Sequence, residues 1–300
     1  MKKIKFAVLV LSSIMAFSVI FVFERNAWPV GSSIAGVCLG FLGPAAWSAF
    51  QDLADTEDWK EVQRKLERGK IIDKDTIVRI SFAYLFRIKI EDKYFLIKNE
   101  RNTNKFQPVG GVYKLKESEK IALKNLFHIM DDNKVMIDAS SRNDYRLRME
   151  NRYLRKFVER FDSGAERERI SDLSREFTEE LINKGILNGN QITYRVCGRH
   201  MTSLSFGQHF QIYELLLADI VELILTPEQQ TDLKKLMKQS SDLYFFATEE
   251  EIESLGVNTR DGILEESIAD HSIKILEKTE GKLMKIPNAE KQYTVNLTNK

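Results

Sequence analysis

The feature that most constrains the fold is a short run with one arginine and three carboxylates, Arg175-Glu176-Phe177-Thr178-Glu179-Glu180-Leu181. Positions three and four apart are neighbours on a helix, so a helix here places Glu176, Glu179 and Glu180 on one face. Adjacent carboxylates repel one another, and a hard divalent cation such as Mg²⁺, which takes oxygen ligands, would relieve that repulsion. The run therefore predicts either a magnesium site or an acidic helix face in contact with solvent.

A glycine turn lies upstream of this acidic helix, in the run Phe106-Gln107-Pro108-Val109-Gly110-Gly111-Val112-Tyr113. Together, the Pro-x-Gly-Gly turn and the Arg-Glu-x-x-Glu-Glu helix resemble the Nudix hydrolase family. The resemblance implies that the glycine pair begins the loop leading to the catalytic helix. It also implies that the helix glutamates hold Mg²⁺ against a nucleoside diphosphate linkage.

Two positions depart from the Nudix motif. The family has a glutamate eight positions before the arginine and a glycine two positions after the last glutamate, where this chain has Arg167 and Ile182. Glu166 and Glu168 flank the first gap, Gly185 comes too late for the second, and a long insertion separates the two halves of the motif. These departures favour ligand binding over hydrolysis.

The amino-acid composition excludes some classes of function for this chain. The 300 residues are 43% apolar and 30% charged, which is enough for a substantial core in one or two domains. Basic and acidic residues nearly balance, at 45 against 44, so no global field favours a polyanionic partner. Two distant cysteines, Cys38 and Cys197, argue against a disulfide framework or a zinc site.

The N-terminus contains two uncharged apolar runs. The first, from Phe6 to Phe23, has 18 residues and follows three lysines, while the second spans residues 27–50. Since about 20 apolar residues span a bilayer as a helix, the runs predict a two-helix transmembrane hairpin over residues 1–50. The lysines predict a multi-pass protein of the bacterial inner membrane with both termini in the cytoplasm.

The second run also contains Gly36 and Gly40, a Gly-x-x-x-Gly spacing that lets membrane helices approach closely. This glycine spacing predicts that the helix packs closely on another helix, either in a second copy of the chain or within the same hairpin.

The rest of the chain predicts an α+β protein: a charged linker helix over residues 51–75 and a cytoplasmic Nudix-like α/β/α domain with an insertion over residues 76–300. Within this domain, the pattern of the basic stretch from Arg146 to Arg160 predicts a helix. The pattern also predicts a closing helix from Ile263 to Leu276 and a polar tail in the last twenty residues. An arginine side chain can bind a phosphate group through two hydrogen bonds, and a histidine can stack on a base or carry a proton. Single arginines and histidines nevertheless commonly have a structural role. The candidate ligand-binding residues are Phe106, Gln107, Gly110, Gly111, Arg152, Arg155, Arg175, His200 and His209.

The whole architecture resembles the two-transmembrane Nudix effectors of bacterial CBASS antiphage defence, which are associated with CD-NTases and carry a SMODS-associated Nudix domain. The resemblance implies a sensor of a cyclic oligonucleotide made by a cognate nucleotidyltransferase. It further implies assembly into a homo-oligomer that disrupts the membrane and kills the infected cell. The alternatives are a membrane-tethered, Mg²⁺-dependent Nudix hydrolase of a nucleotide diphosphate, with Glu166 or Glu168 filling the gap, and a membrane-anchored scaffold without a ligand.

Overall fold

The computed structural model describes residues 2–25, 59–99, 104–134, 141–164, 166–260 and 263–297. The chain divides into two compact units, Met1–Lys65 and Leu66–Lys300. Its helices in the described ranges are α1 (Lys2–Arg25), α2 (Trp59–Arg68), α3 (Glu117–Phe127), α4 (Leu154–Asp162), α5 (Ser174–Phe177), α6 (Pro227–Leu236) and α7 (Glu249–Glu253). Short 3₁₀ helices span Asn151–Tyr153, Asp270–Ile275 and Glu277–Lys282, and α5 continues as a wider π-helical turn over Thr178–Ile182.

The strands in the described ranges lie in the second unit. They are β1 (Ile77–Arg87), β2 (Lys89–Ile90), β3 (Lys93–Lys98), β4 (Phe106–Gln107), β5 (Gly110–Val112), β6 (Met130–Asp131), β7 (Arg146–Glu150), β8 (Gln191–Met201), β9 (Ser205–Gly207), β10 (Ile212–Leu223), β11 (Tyr244–Ala247), β12 (Asn258–Arg260), β13 (Ile263–Glu265) and β14 (Gln292–Asn296).

The main sheet has the order β14-β8-β10-β1-β7-β6, with β5 added to β1 and β9 to β10. β1 and β10 run parallel from Val78↔Tyr213 to Arg87↔Glu222, and the other pairs are antiparallel. A smaller sheet has the order β11-β3-β2, with β4 on β3. This mixed arrangement confirms the α+β part of the predicted fold, while the predicted domain boundaries remain predictions.

The predicted transmembrane hairpin is wrong. The described apolar run forms α1, a single helix from Lys2 to Arg25, and large apolar side chains such as Leu11, Met15 and Phe21 are exposed on it. Among the described residues, no helix has both the length and the apolar character needed to cross a bilayer. Charged residues occupy both ends of α1, which leaves its uncharged stretch at the lower limit for a span.

The multi-pass inner-membrane location fails with the hairpin, since it was inferred from the same apolar runs. The second run, with Gly36 and Gly40, lies outside the described residues, as do residues 51–58 at the start of the predicted linker helix. The described part of that linker contains α2 and ends in turns before β1.

The aromatic core of the second unit covers one face of β1. Phe82, Tyr84 and Phe86 alternate along the strand and are fully buried. Phe82 packs against Phe161 of α4 with a ring-centroid distance of 4.8 Å, and Phe86 packs against Phe177 of α5 at 5.6 Å. Because each buried aromatic side chain contributes about 2–3 kcal/mol, this face fixes α5 against the sheet.

Three local predictions are wrong, two of them because pairing with a distant strand decided the structure. Residues Arg146–Glu150 form strand β7 beside β1, so only the later part of the basic stretch is helical. The predicted closing helix is replaced by β13 and the 3₁₀ helix Asp270–Ile275. The predicted polar tail contributes β14, which pairs with β8 from Gln292↔Arg195 to Asn296↔Gln191.

Candidate functional site

The glycine turn lies against the middle of the central strand. Gly110 and Gly111 of β5 pair with Leu85 and Tyr84 of β1. Gly110 has φ +151°, and a Cβ there would overlap the Tyr84 carbonyl oxygen. Only glycine therefore permits this close approach of two backbones.

Arg175 connects the acidic helix to the glycine turn. Its guanidinium donates to both carboxylate oxygens of Glu168 at 3.1–3.2 Å, to Glu176 Oε1 at 2.5 Å and to the Val112 carbonyl oxygen at 3.0 Å. Glu168 also accepts hydrogen bonds from the Tyr84 hydroxyl at 2.9 Å and from the Lys114 amide at 3.1 Å. Burial raises the pKa of Tyr84 well above its ordinary value, so this hydroxyl keeps its proton and donates.

Glu176 lies directly under the glycine turn. A Cβ at Gly111 would overlap the Glu176 carboxylate, so the second glycine makes room for this side chain. Burial raises the pKa of Glu176, and the neighbouring Arg175 opposes that shift. The carboxylate is thus partly dehydrated and held by one cation.

The other two helix glutamates have different surroundings. Glu180 accepts a hydrogen bond from the Gly110 amide at 3.1 Å. Glu179 is more than half exposed and lies 3.6 Å from Arg175 Nη1. No group of three or more His, Cys, Asp or Glu side chains in the described ranges is arranged to hold a metal ion. The magnesium ligands Glu176, Glu179 and Glu180 remain a prediction, and in this arrangement the first is engaged by Arg175 and the third by a backbone amide.

The insertion closes at a narrow neck beside this network. Lys116 donates its amide hydrogen to the Glu166 carbonyl oxygen at 3.0 Å, and the Glu168 amide donates to the Lys114 carbonyl oxygen at 2.8 Å. Leu115 and Arg167 form a β-bridge between these two contacts. The neck, residues 114–116 and 166–168, therefore holds the two halves of the motif together across the insertion.

The neck also explains the first departure from the Nudix motif. Successive residues of an extended segment point to opposite faces, so Arg167 and Glu168 point apart. Arg167 donates to the Phe161 carbonyl oxygen and stacks on the Phe161 ring, whereas Glu168 receives Arg175. Glu166 is exposed and accepts a hydrogen bond from the Ser118 hydroxyl. Of the two candidates for the missing carboxylate, the structure brings only Glu168 into the network.

A family model described as the SMODS-associated NUDIX domain matches residues 77–276, which is two thirds of the chain. The chain belongs to this family. No curated protein sequence and no solved structure gives a significant match to the chain.

Membership of the SMODS-associated NUDIX family supports a Nudix effector of CBASS-type systems and a role in antiviral defence. The matched residues include the glycine turn, the whole insertion and the acidic helix. The insertion is therefore part of the SMODS-associated NUDIX domain of this chain.

The structure places two predicted ligand residues, Arg152 and Arg155, far from the glycine turn. Glu150 pairs with Ile77, whereas Gly111 pairs with Tyr84, seven positions further along β1. At about 3.3 Å per residue this separation is about 23 Å. Arg152 forms ion pairs with Glu150, at 2.8 Å, and with Asp75. Arg155 follows on α4 and is half-buried.

The two predicted histidines also lie away from the acidic helix. His200 of β8 pairs with Ala218 of β10, which in turn pairs with Ala83 of β1. Because neighbouring residues of a strand point to opposite faces, His200 lies on the sheet face opposite to Tyr84 and the acidic helix. Burial, and then the nearby Lys274, lower the pKa of His200. His209 is exposed in the turn between β9 and β10, where it packs edge-on against Phe210.

Phe106 and Gln107 belong to the smaller sheet. Phe106 packs on Phe245 at a centroid distance of 5.4 Å, and Gln107 accepts a hydrogen bond from the Asn99 side chain at 2.8 Å. Of the predicted ligand residues, Gly110, Gly111 and Arg175 therefore converge with the acidic helix. The ligand-binding role of every residue in the predicted set remains a prediction.

Sequence reasoning missed a buried polar network behind the site. Tyr113 donates its hydroxyl to Asp219 at 2.8 Å, and Arg199 forms a bidentate pair with the same carboxylate at 2.6 and 3.0 Å. Arg199 also pairs with Asp162 of α4 at 2.5 Å. The signal was present, because Asp219 interrupts the apolar strand Leu215 to Val221, and a buried carboxylate requires partners.

Proposed function

We propose that the SMODS-associated NUDIX domain of this chain recognises a cyclic oligonucleotide and acts as the sensor of a CBASS-type system without rapidly degrading its ligand. The observation that carries the proposal is the closed network of Glu168, Arg175 and Glu176 beneath the glycine turn. A carboxylate that already accepts several hydrogen bonds, as Glu168 does, has fewer lone pairs left for a cation.

Binding of a nucleotide and its hydrolysis make different demands on this site. A Nudix-type hydrolase needs Mg²⁺ on its helix glutamates, and here Mg²⁺ would compete with Arg175 for Glu176 and with the Gly110 amide for Glu180. Binding of a phosphodiester needs only cations and amide groups near the turn. In this proposal the nucleotidyltransferase acts on the chain through its product alone.

Sensing requires that the ligand distinguish two states of the protein. A ligand shifts an equilibrium only by the difference between its affinities for the two states. Assembly of a homo-oligomer on ligand binding is one such shift, and sedimentation of the chain with and without cyclic oligonucleotide measures it.

The test is calorimetry of the full chain with a panel of cyclic di- and trinucleotides in the presence of Mg²⁺, followed by chromatography of each nucleotide. We expect one or more nucleotides to bind and to be recovered intact. Absence of binding across the panel contradicts sensing.

The alternative function is Mg²⁺-dependent hydrolysis of a nucleotide diphosphate. It is favoured if turnover requires Mg²⁺ and disappears in Glu180→Gln. Glu159→Gln is the matched control, because Glu159 is an exposed carboxylate on α4.

A further inference from the structure

A cleft of about 390 Å³ opens at the neck of the insertion. Residues from both neck segments and from the turn before α5 line it, among them Lys114, Lys116, Arg167, Glu168, Arg169 and Arg175. This volume falls within the range of about 300–1,000 Å³ that is usual for small-ligand sites. We call it the neck cleft.

The lining of the neck cleft carries more cationic than anionic side chains, and both of its carboxylates already accept hydrogen bonds from the protein. Glu168 accepts from Arg175, Tyr84 and the Lys114 amide. Asp172 accepts from the hydroxyl and amide of Ser174 at 2.6 and 3.3 Å. Five cationic side chains face these two carboxylates in the lining.

Three of the five cations are committed to the fold. Lys114 pairs with Asp144, Arg167 donates to backbone carbonyl oxygens, and Arg175 holds Glu168 and Glu176. Lys116 and Arg169 are exposed and form no ion pair with any other residue in the described ranges. They are the cations available to an anion in the cleft.

The walls of the neck cleft are held in place before any ligand binds. Tyr194 donates its hydroxyl to the Ile170 carbonyl oxygen at 2.8 Å and accepts from the Leu173 amide at 3.3 Å. Arg167 stacks on Phe161 at 3.7 Å from the ring centroid. A site that is already ordered loses less conformational entropy on binding.

We propose that the neck cleft binds a phosphate group, with Lys116 and Arg169 as its cations. The cleft lies beside the neck, so the bound phosphate would join the two neck segments to the turn that begins the acidic helix. Its identification as a phosphodiester of a cyclic oligonucleotide rests on the proposed function.

The first arm of the test uses inorganic pyrophosphate and the full chain in EDTA, so that no metal on the acidic helix contributes. We expect the natural chain to bind pyrophosphate, with affinity decreasing as salt rises. The double substitution Lys116→Ala/Arg169→Ala should weaken binding about tenfold, since charge-assisted hydrogen bonds are lost. The conservative pair Lys116→Arg/Arg169→Lys should retain most of the affinity.

The matched control is Lys124→Ala/Lys238→Ala, which removes the same charge from exposed lysines outside the cleft. It should change the affinity by less than about twofold. Failure of the natural chain to bind pyrophosphate, or equal weakening by both double substitutions, overturns the proposal.

The second arm repeats the titrations with the cyclic nucleotide panel. Pyrophosphate binding that depends on Lys116 and Arg169, without binding of any cyclic nucleotide, supports the anion site and contradicts sensing. Cyclic nucleotide binding that is unchanged in Lys116→Ala/Arg169→Ala supports sensing and overturns the neck cleft as its phosphate site.

Discussion

Arg87 carries its charge at a position with no exposed surface. Its guanidinium donates to the Ile275 carbonyl oxygen at 2.5 Å, to the Leu276 carbonyl oxygen at 3.2 Å and to Glu280 at 2.7 Å. Glu280 also pairs with Arg195 at 2.6 Å. One carboxylate therefore connects β1 and β8 to the segment that follows the matched domain.

This pairing predicts acid sensitivity. Hydrogen bonds from Arg195 and then Arg87 lower the pKa of Glu280 from 4.5 to about 2. The folded chain thus binds this proton less readily than the unfolded chain, so the contribution of Glu280 is present above pH 4.5 and is lost between pH 4.5 and about 2.

We expect Glu280→Gln to lower the free energy of unfolding at pH 7 by about 2 kcal/mol, because it leaves Arg87 without its carboxylate, and solvent exposure of Glu280 limits the loss. The slope of stability against pH in that acid range should also flatten. Urea unfolding between pH 3 and pH 7 measures both quantities. An unchanged acid slope contradicts the assignment to Glu280.

Alanine substitutions in the glycine turn should reduce stability by different amounts. Gly110→Ala forces backbone against backbone and should cost about 3 kcal/mol, whereas Gly111→Ala meets only the end of the Glu176 side chain, which can move. Gly281→Ala is the control, because a Cβ there meets nothing within 4 Å. Denaturant midpoints should follow the order Gly110→Ala, Gly111→Ala, Gly281→Ala from least to most stable. Equal stability of Gly110→Ala and Gly281→Ala would contradict the close approach.

At the scale of elements, α5 (Ser174–Phe177) with its π-helical continuation (Thr178–Ile182) is too short to hold its position alone. Short helices are marginal in water, so packing and hydrogen bonds must fix this one. Phe177 packs on Phe86, Arg175 binds the neck, and Tyr194 of β8 holds the turn before the helix. The site geometry thus depends on three elements that are distant in sequence.

Tyr194→Phe isolates the contribution of β8. Loss of the bonds to Ile170 and Leu173 should reduce stability by about 1–2 kcal/mol and speed amide exchange in residues 170–175. Tyr145→Phe is a matched control, because the Tyr145 hydroxyl is buried without a hydrogen-bond partner among the described residues. This substitution should be neutral or stabilising. Equal exchange in both variants would show that Tyr194 does not hold the turn.

At the scale of the molecule, the insertion is part of the core. It contributes β7 to the main sheet and α4 to the aromatic core, and Phe157 and Phe161 of α4 are almost fully buried. The neck brings Lys116 and Glu166 within a hydrogen bond of each other, so a short link could join them.

We expect deletion of residues 117–165, closed by Asn-Gly, to abolish cooperative unfolding even though the ends are adjacent. Each buried phenylalanine lost costs about 3–5 kcal/mol, which together exceed a typical margin of stability. Calorimetry and near-UV circular dichroism measure the result. Phe157→Leu is the graded control and should fold with a lower Tm. A cooperative transition in the deletion variant would show that the insertion is an appendage.

The sequence by itself determined the features that depend on neighbours along the chain. The glycine turn and the acidic helix follow from spacing over a few residues, and so do the motifs that carry the family resemblance. An apolar run alone did not determine a membrane span, because no helix in the described ranges combines the length and the apolar character that a span needs.

Only the tertiary structure decided which residues complete the site. Glu166 and Glu168 flank the expected position equally, and residues two apart in an extended segment share one side. Only the packing around the neck brought Glu168 to Arg175 and left Glu166 exposed beside Ser118. The same dependence on distant partners made Arg146–Glu150 a strand, recruited Gln292–Asn296 to the sheet and carried Arg152 to the far end of β1. Local periodicity contains no information about a partner strand fifty or more residues away, so these outcomes required the folded chain.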